Sequence, residues 1–152
     1  MPLPFQTVVR DAFTVVGIAT RTAEDPPSEI GGLWQRFFAE QVPARIPHSA
    51  GPDVYSVYTE YAGDHSQPYT VLLGCAVTQV GALPDGLEAR TVPAATYAVL
   101  AGVANRPDAI GRAWQNIYAA ALPRTYTSDF DLHYGDGPRA GTVDVHVAVR
   151  AL

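Results

Sequence analysis

The chain has one cysteine, Cys75, so it cannot close an internal disulfide. That excludes a disulfide-stapled secreted scaffold and points to a cytoplasmic location. Cys75 lies in the apolar run YTVLLGCAV with no basic neighbour to lower its pKa, and reads as core. No apolar run approaches bilayer-spanning length, and the first residues lack the basic start and apolar stretch of a signal peptide, so no membrane partner is expected. Positive charge is scarce: 10 basic against 15 acidic residues leave a net charge of −5. That argues against direct contact with nucleic acid, whose phosphates demand a basic face. No serine sits in a G-x-S-x-G elbow, and His48, His65, His133 and His146 show no metal-ligand spacing. The Gly-rich GDGPRAG joins two strand-like runs and reads as a turn, not a phosphate loop. No metal or cofactor is expected.

What the chain does have is apolar bulk and rings. Of its 152 residues 47% are hydrophobic and 16% charged, enough for a globular core. Eight tyrosines and two tryptophans are available to line a pocket or fill that core. The tryptophans come in two related segments, EIGGLWQRFF (29–38) and AIGRAWQNIY (109–118). Ile30, Leu33, Trp34, Phe37 and Phe38 keep the spacing of one buried helical face, and Ile110, Ala113, Trp114, Ile117 and Ala121 repeat it. The first helix is expected from Pro27 or Ser28 until Pro43 helps to stop it, the second from about Pro107 or Asp108 to Leu122.

Around these helices the pattern is strand-like. Residues 5–22 form a first strand, bent near Arg10–Asp11, and 51–61 and 69–77 form two more. In the second half 87–105 reads as a strand with Pro93 at an edge or bulge, and 129–135 and 142–151 close a hairpin. Gly17, Ala19 and Arg21 match Gly102, Ala104 and Arg106; Asp53 and Tyr58 match Asp129 and Tyr134, which sets Tyr55 against Asp131. The expected fold is α+β: tandem pseudo-symmetric βαββ repeats (1–80 and 85–152) in a single domain. They form one antiparallel sheet with two main helices and a ligand cleft between the halves.

The ordered pieces GLWQRF, VPAATYAVL and AWQNIYAAALP ahead of DFDLHY resemble the GyrI-like, or AraC-type effector-binding, domain over nearly the whole chain. The resemblance implies a cleft for small molecules, often aromatic and cationic. In transcription regulators of this kind the domain is fused to a helix-turn-helix. No such segment occurs in this sequence, so the expectation is a free-standing sensor or multidrug binder, or one acting through another chain. The resemblance further implies a cleft glutamate in an F-E-x-Y motif. Its best match here is Phe130-Asp131, with a shorter acid and with Tyr134 displaced by one position.

Period-two alternation sets Phe130, Leu132 and Tyr134 on one strand face and Asp129, Asp131 and His133 on the other. The row Val143, Val145, Val147 and Val149 is expected to share a face with Phe130 and Leu132 beneath the helices. That would set Asp131 opposite His146 or Asp144. Candidate ligand-binding residues are therefore Trp34, Tyr55, Tyr97, Trp114, Tyr118, Asp131, His133 and His146. Trp34 and Trp114 suit core and cleft equally. The favoured reading is a binder of small aromatic or cationic compounds. Alternatives are a hydrolase of reactive electrophiles using Asp131 with His146, or a gyrase-modulating interaction protein. A protein partner or a homodimer stays open.

Overall fold

The computed structural model describes residues 5–64 and 66–150, so His65 lies outside the described residues. Eight strands form one antiparallel sheet: β1 (Gln6–Arg10), β2 (Phe13–Arg21), β3 (Val54–Thr59), β4 (Thr70–Ala76), β5 (Glu88–Val92), β6 (Ala95–Ala104), β7 (Ser128–His133) and β8 (Thr142–Val149). Three helices join them: α1 (Pro26–Ala39), the one-turn α2 (Val42–Arg45) and α3 (Pro107–Ala119). Among the described residues no helix is long and apolar enough to cross a membrane.

The α+β expectation holds, with one change. Each of the two long strands is two strands, parted at Asp11–Ala12 and at Pro93–Ala94, so each repeat is ββαββ. The sheet order β1-β6-β8-β7-β3-β4-β2-β5 is a palindrome in the repeats. A pseudo-two-fold axis passes between the central pair β3 and β7, and the first strand of each repeat pairs with the other repeat.

That exchange forces the sheet to curl. β1 and β2 stand six positions apart in the sheet, which would be about 29 Å if it were flat. Only Asp11 and Ala12 connect them, and three Cα steps reach at most about 11 Å. The two edges must therefore approach each other. Curling lets the helix-free face bury itself: Val15, Tyr55, Val57, Tyr97, Phe130 and Leu132 pack together there. Gly17 and Gly74 are paired on this face, and a Cβ on Gly17 would lie 1.8 Å from the Leu73 carbonyl oxygen. Only glycine permits so close an approach. Gly102, the repeat partner of Gly17, instead sits at a bulge with φ +71°, where its N–H donates to Asp144 Oδ1 at 2.9 Å.

The helices cover the opposite face. Leu33 and Phe37 of α1 pack on Val16, Ile18, Val71 and Leu73, while Ala113 and Ile117 of α3 pack on Val143, Val145 and Val147. Helix α1 starts earlier than expected, with Asp25 as its N-cap and prolines in the first turn, and the Glu29 carboxylate accepts from the Asp25 and Ala23 N–H groups. Helix α1 ends at Ala39, so Pro43 falls in α2, and α3 ends at Ala119.

Candidate functional site

The two main helices stand over different halves of the sheet and leave a cleft above the central strands. In each helix two residues point down into the core and the tryptophan one position on lies at the flank. Trp34 is half-buried and stacks on Phe38, ring centres 5.8 Å apart, and Phe38 is 68% exposed at the rim. The floor comes from alternate residues of the central strands: Val54 and Tyr58 of β3, Asp131 and His133 of β7. Together with Ile30, Asn105 and Ile110 they enclose a cavity of about 600 Å³. That is the size of a drug-sized ligand site, and most of its surface is apolar. A smaller cavity of about 230 Å³ adjoins it past Tyr58, walled by Tyr61, Tyr69, Trp114 and Tyr118.

A helical glycine faces each cavity, Gly31 the larger and Gly111 the smaller, and a Cβ at either would meet nothing within 4 Å. A mid-helix glycine costs about 0.5–1 kcal/mol relative to alanine. Here that cost leaves open space over the floor.

Asp131 is the charged feature of the larger cavity, and it is 1% exposed. Its Oδ2 accepts from the Tyr58 hydroxyl at 2.7 Å, and its Oδ1 from Trp114 Nε1 at 3.2 Å. Burial pushes its pKa up to about 7; the two hydrogen bonds oppose that rise without cancelling it, and the nearby Asp129 adds to it. The same burial and the carboxylate raise the Tyr58 hydroxyl well above its ordinary value, so it stays a donor. His133 is held neutral, its pKa lowered to about 4 by burial. Its Nδ1 meets Asn105 Oδ1 at 3.3 Å, and Trp34 packs edge-on against its ring at 5.0 Å. The site thus holds a carboxyl poised to ionise near neutrality, within aromatic walls.

The register of the last hairpin corrects the expected faces. Asp131 pairs with Val145, and Phe130 with His146, so the valine row shares the helix-covered face with Asp131 and not with Phe130. The helices need an apolar bed, and β8 supplies it; β7 contributes its acids to the same face only where the cleft interrupts that bed. His146 consequently stacks on Phe130 inside the curl, ring centres 4.2 Å apart, with Arg10 Nη1 at 3.4 Å from Nε2. No Asp131–His146 pair forms across the hairpin. The pairing of Tyr55 with Asp131 in the repeat also fails: a two-fold axis normal to the sheet keeps faces, and Tyr55 lies on the other face. Across the central strand pair Asp131 stands opposite Ser56.

Of the eight candidates, Trp34, Asp131 and His133 meet at the larger cavity, and Trp114 and Tyr118 at the smaller. Tyr55, Tyr97 and His146 lie inside the curl, away from the cleft. Sequence reasoning passed over Tyr58, Asn105, Tyr61 and Arg124. Period-two counting from Val54 does select Tyr58, whereas Asn105 and Arg124 carry no local signal. Among the described residues no cluster of three His, Cys, Asp or Glu side chains could hold a metal.

Comparison with known proteins gives the chain's family and supports its fold. The family model Cass2, integron-associated effector binding protein, matches residues 7–149. No curated protein matches the sequence. Among solved structures, the integron cassette protein VCH_CASS2 from the mobile metagenome of Vibrio cholerae is 24% identical, with a TM-score of 0.73 over 96% of this chain and 95% of that one. SAV2435, solved bound to tetraphenylphosphonium, is 15% identical with a TM-score of 0.79, over 98% of this chain and 95% of that one. A putative bacterial transcription regulation protein from Staphylococcus aureus MU50 is 15% identical with a TM-score of 0.75, over 98% and 99%.

Proposed function

The chain belongs to the family of integron-associated effector binding proteins, and on that premise we propose that its effector is a small aromatic cation held in the larger cavity against Asp131. The observation that carries this reading is a carboxyl buried to 1% exposure and hydrogen-bonded by neutral donors, with no cationic side chain among the described residues bonded to it. An ionised carboxylate in such a place is costly unless a positive charge joins it. A ligand cation supplies that charge and draws the carboxyl's pKa back down. Trp34 and Phe38 offer ring faces at the rim, each good cation–π contact contributing about 0.5–2 kcal/mol. The tetraphenylphosphonium bound by SAV2435, a protein of the same fold, supports this ligand class. Binding would serve a regulatory or drug-sequestering role.

The test is a matched pair of ligands, the phenethylammonium cation and its uncharged N-acetyl derivative, followed by thermal shift at pH 8. The cation should raise the melting temperature in a concentration-dependent way and the neutral derivative should not. Equal shifts would remove charge from the account, and no shift with either would remove the ligand class.

A further inference from the structure

The two cavities of the cleft mirror one another through the repeat. On α1 the larger is lined by Gly31, Trp34 and Phe38; on α3 the smaller is lined by their repeat partners Gly111, Trp114 and Tyr118. The N-terminal part of the opposite helix completes each, Pro107 and Ile110 for the larger, Pro27 and Ile30 for the smaller. Pro27, Ile30 and Tyr58 border both cavities, which are therefore two chambers of one groove.

Asp131 sits at the divide between the chambers. Of its two donors, Tyr58 borders both chambers and Trp114 borders the smaller, and their rings meet edge to face at 5.4 Å. A positive charge held at Asp131 thus has an aromatic chamber on either side. A ligand with its charge at one end would fill one chamber and leave the apolar walls of the other in water. The chambers are unequal. At about 230 Å³ the smaller falls below a drug-sized site and has room for one ring. Arg124 lines it, and that positive charge opposes a second cation there, so the group that enters is uncharged.

Resting on the cation reading above, we infer that the effector is a two-armed cation, with its charge central at Asp131 and one aromatic arm in each chamber. Gly111 is the specificity-determining residue for the second arm. A Cβ there would meet nothing within 4 Å, so the space that the arm needs exists only because position 111 has no side chain.

Calorimetric titration at pH 8 tests this by comparing phenethylammonium with bis(2-phenylethyl)ammonium, which carries the same arm twice on one nitrogen. Native protein should bind the two-armed ion at least about tenfold more tightly, the gain expected for burying a second ring. Gly111→Leu should erase that gain and leave the affinity for phenethylammonium unchanged. Leucine favours the helix over glycine, so the variant keeps its fold, and circular dichroism verifies this. Equal affinity of native protein for the two ions would overturn the inference and leave the cation reading standing. So would a gain that survives Gly111→Leu, or loss of phenethylammonium binding from the folded variant. Binding of neither ion to native protein would overturn both.

Discussion

Replacing Asp131 by asparagine should change the pH dependence of stability. The unfolded side chain titrates near about 3.9, and in the folded protein burial holds it at about 7. Between those values the folded state keeps a proton that the unfolded chain has released, so stability falls as pH rises. The slope is about 1.4 kcal/mol per pH unit, giving up to about 4 kcal/mol over the roughly three-unit window. Above pH 7 the loss is complete and constant. His133 and His146 act in the opposite sense: both are held near 4 when folded. The unfolded chain takes up their protons below about 6.5, so their contribution is lost as pH falls. Native stability alone therefore mixes opposing slopes. The difference between native and Asp131→Asn protein isolates the carboxyl, because both histidines remain in each. Asparagine cannot ionise; its own unmatched amide adds an offset that does not vary with pH. Urea denaturation at half-unit steps from pH 4 to 8, in the absence of ligand, should show the variant gaining on native protein up to pH 7 and then levelling. A difference that stays flat across this range would refute the raised pKa and with it the reason for a cationic ligand.

Other outcomes follow from the same geometry. Gly31→Leu should stabilise the ligand-free protein by about 0.5–1 kcal/mol in thermal denaturation, yet abolish binding of the phenethylammonium cation, since its side chain enters the cavity. Trp114→Phe removes the Nε1 donor to Asp131 Oδ1. The carboxyl should then titrate above its native value, readable from the carbon-13 shift of its side-chain carbonyl. Gly17→Ala would place a methyl against the Leu73 carbonyl oxygen between paired strands. It should cost about 3 kcal/mol or more in chemical denaturation, because backbone and not a flexible side chain must move.

How much of this was legible in the sequence depended on distance along the chain. The helices were, since Leu33, Phe37, Ala113 and Ile117 report their faces within a few turns. The repeats were too, though the strand order that interleaves them came only from the folded chain. The hairpin register was not. Both VDVHVAV and DFDLHY alternate cleanly, but alternation alone does not say which apolar row lies beneath the helices and which inside the curl. Two apolar faces exist because β1 and β5 trade places, and only then can Phe130 and Tyr97 be buried without a helix over them. That exchange explains why Tyr55, Tyr97 and His146 were drawn into the expected site. Asp131 was reached residue by residue through the family resemblance; Tyr58 lay within reach of period-two counting yet was passed over, and Arg124 came only from the folded chain.

The central claim is that a bound cation neutralises Asp131, and proton release measures this directly. Calorimetric titrations of the phenethylammonium cation at pH 7, in two buffers of different ionisation enthalpy, count the protons lost on binding. With the carboxyl half-protonated at about 7, native protein should release about half a proton per cation bound. Asp131→Asn should release none and bind more weakly. Binding by native protein with no proton release, or equal affinity in the variant, would contradict the claim.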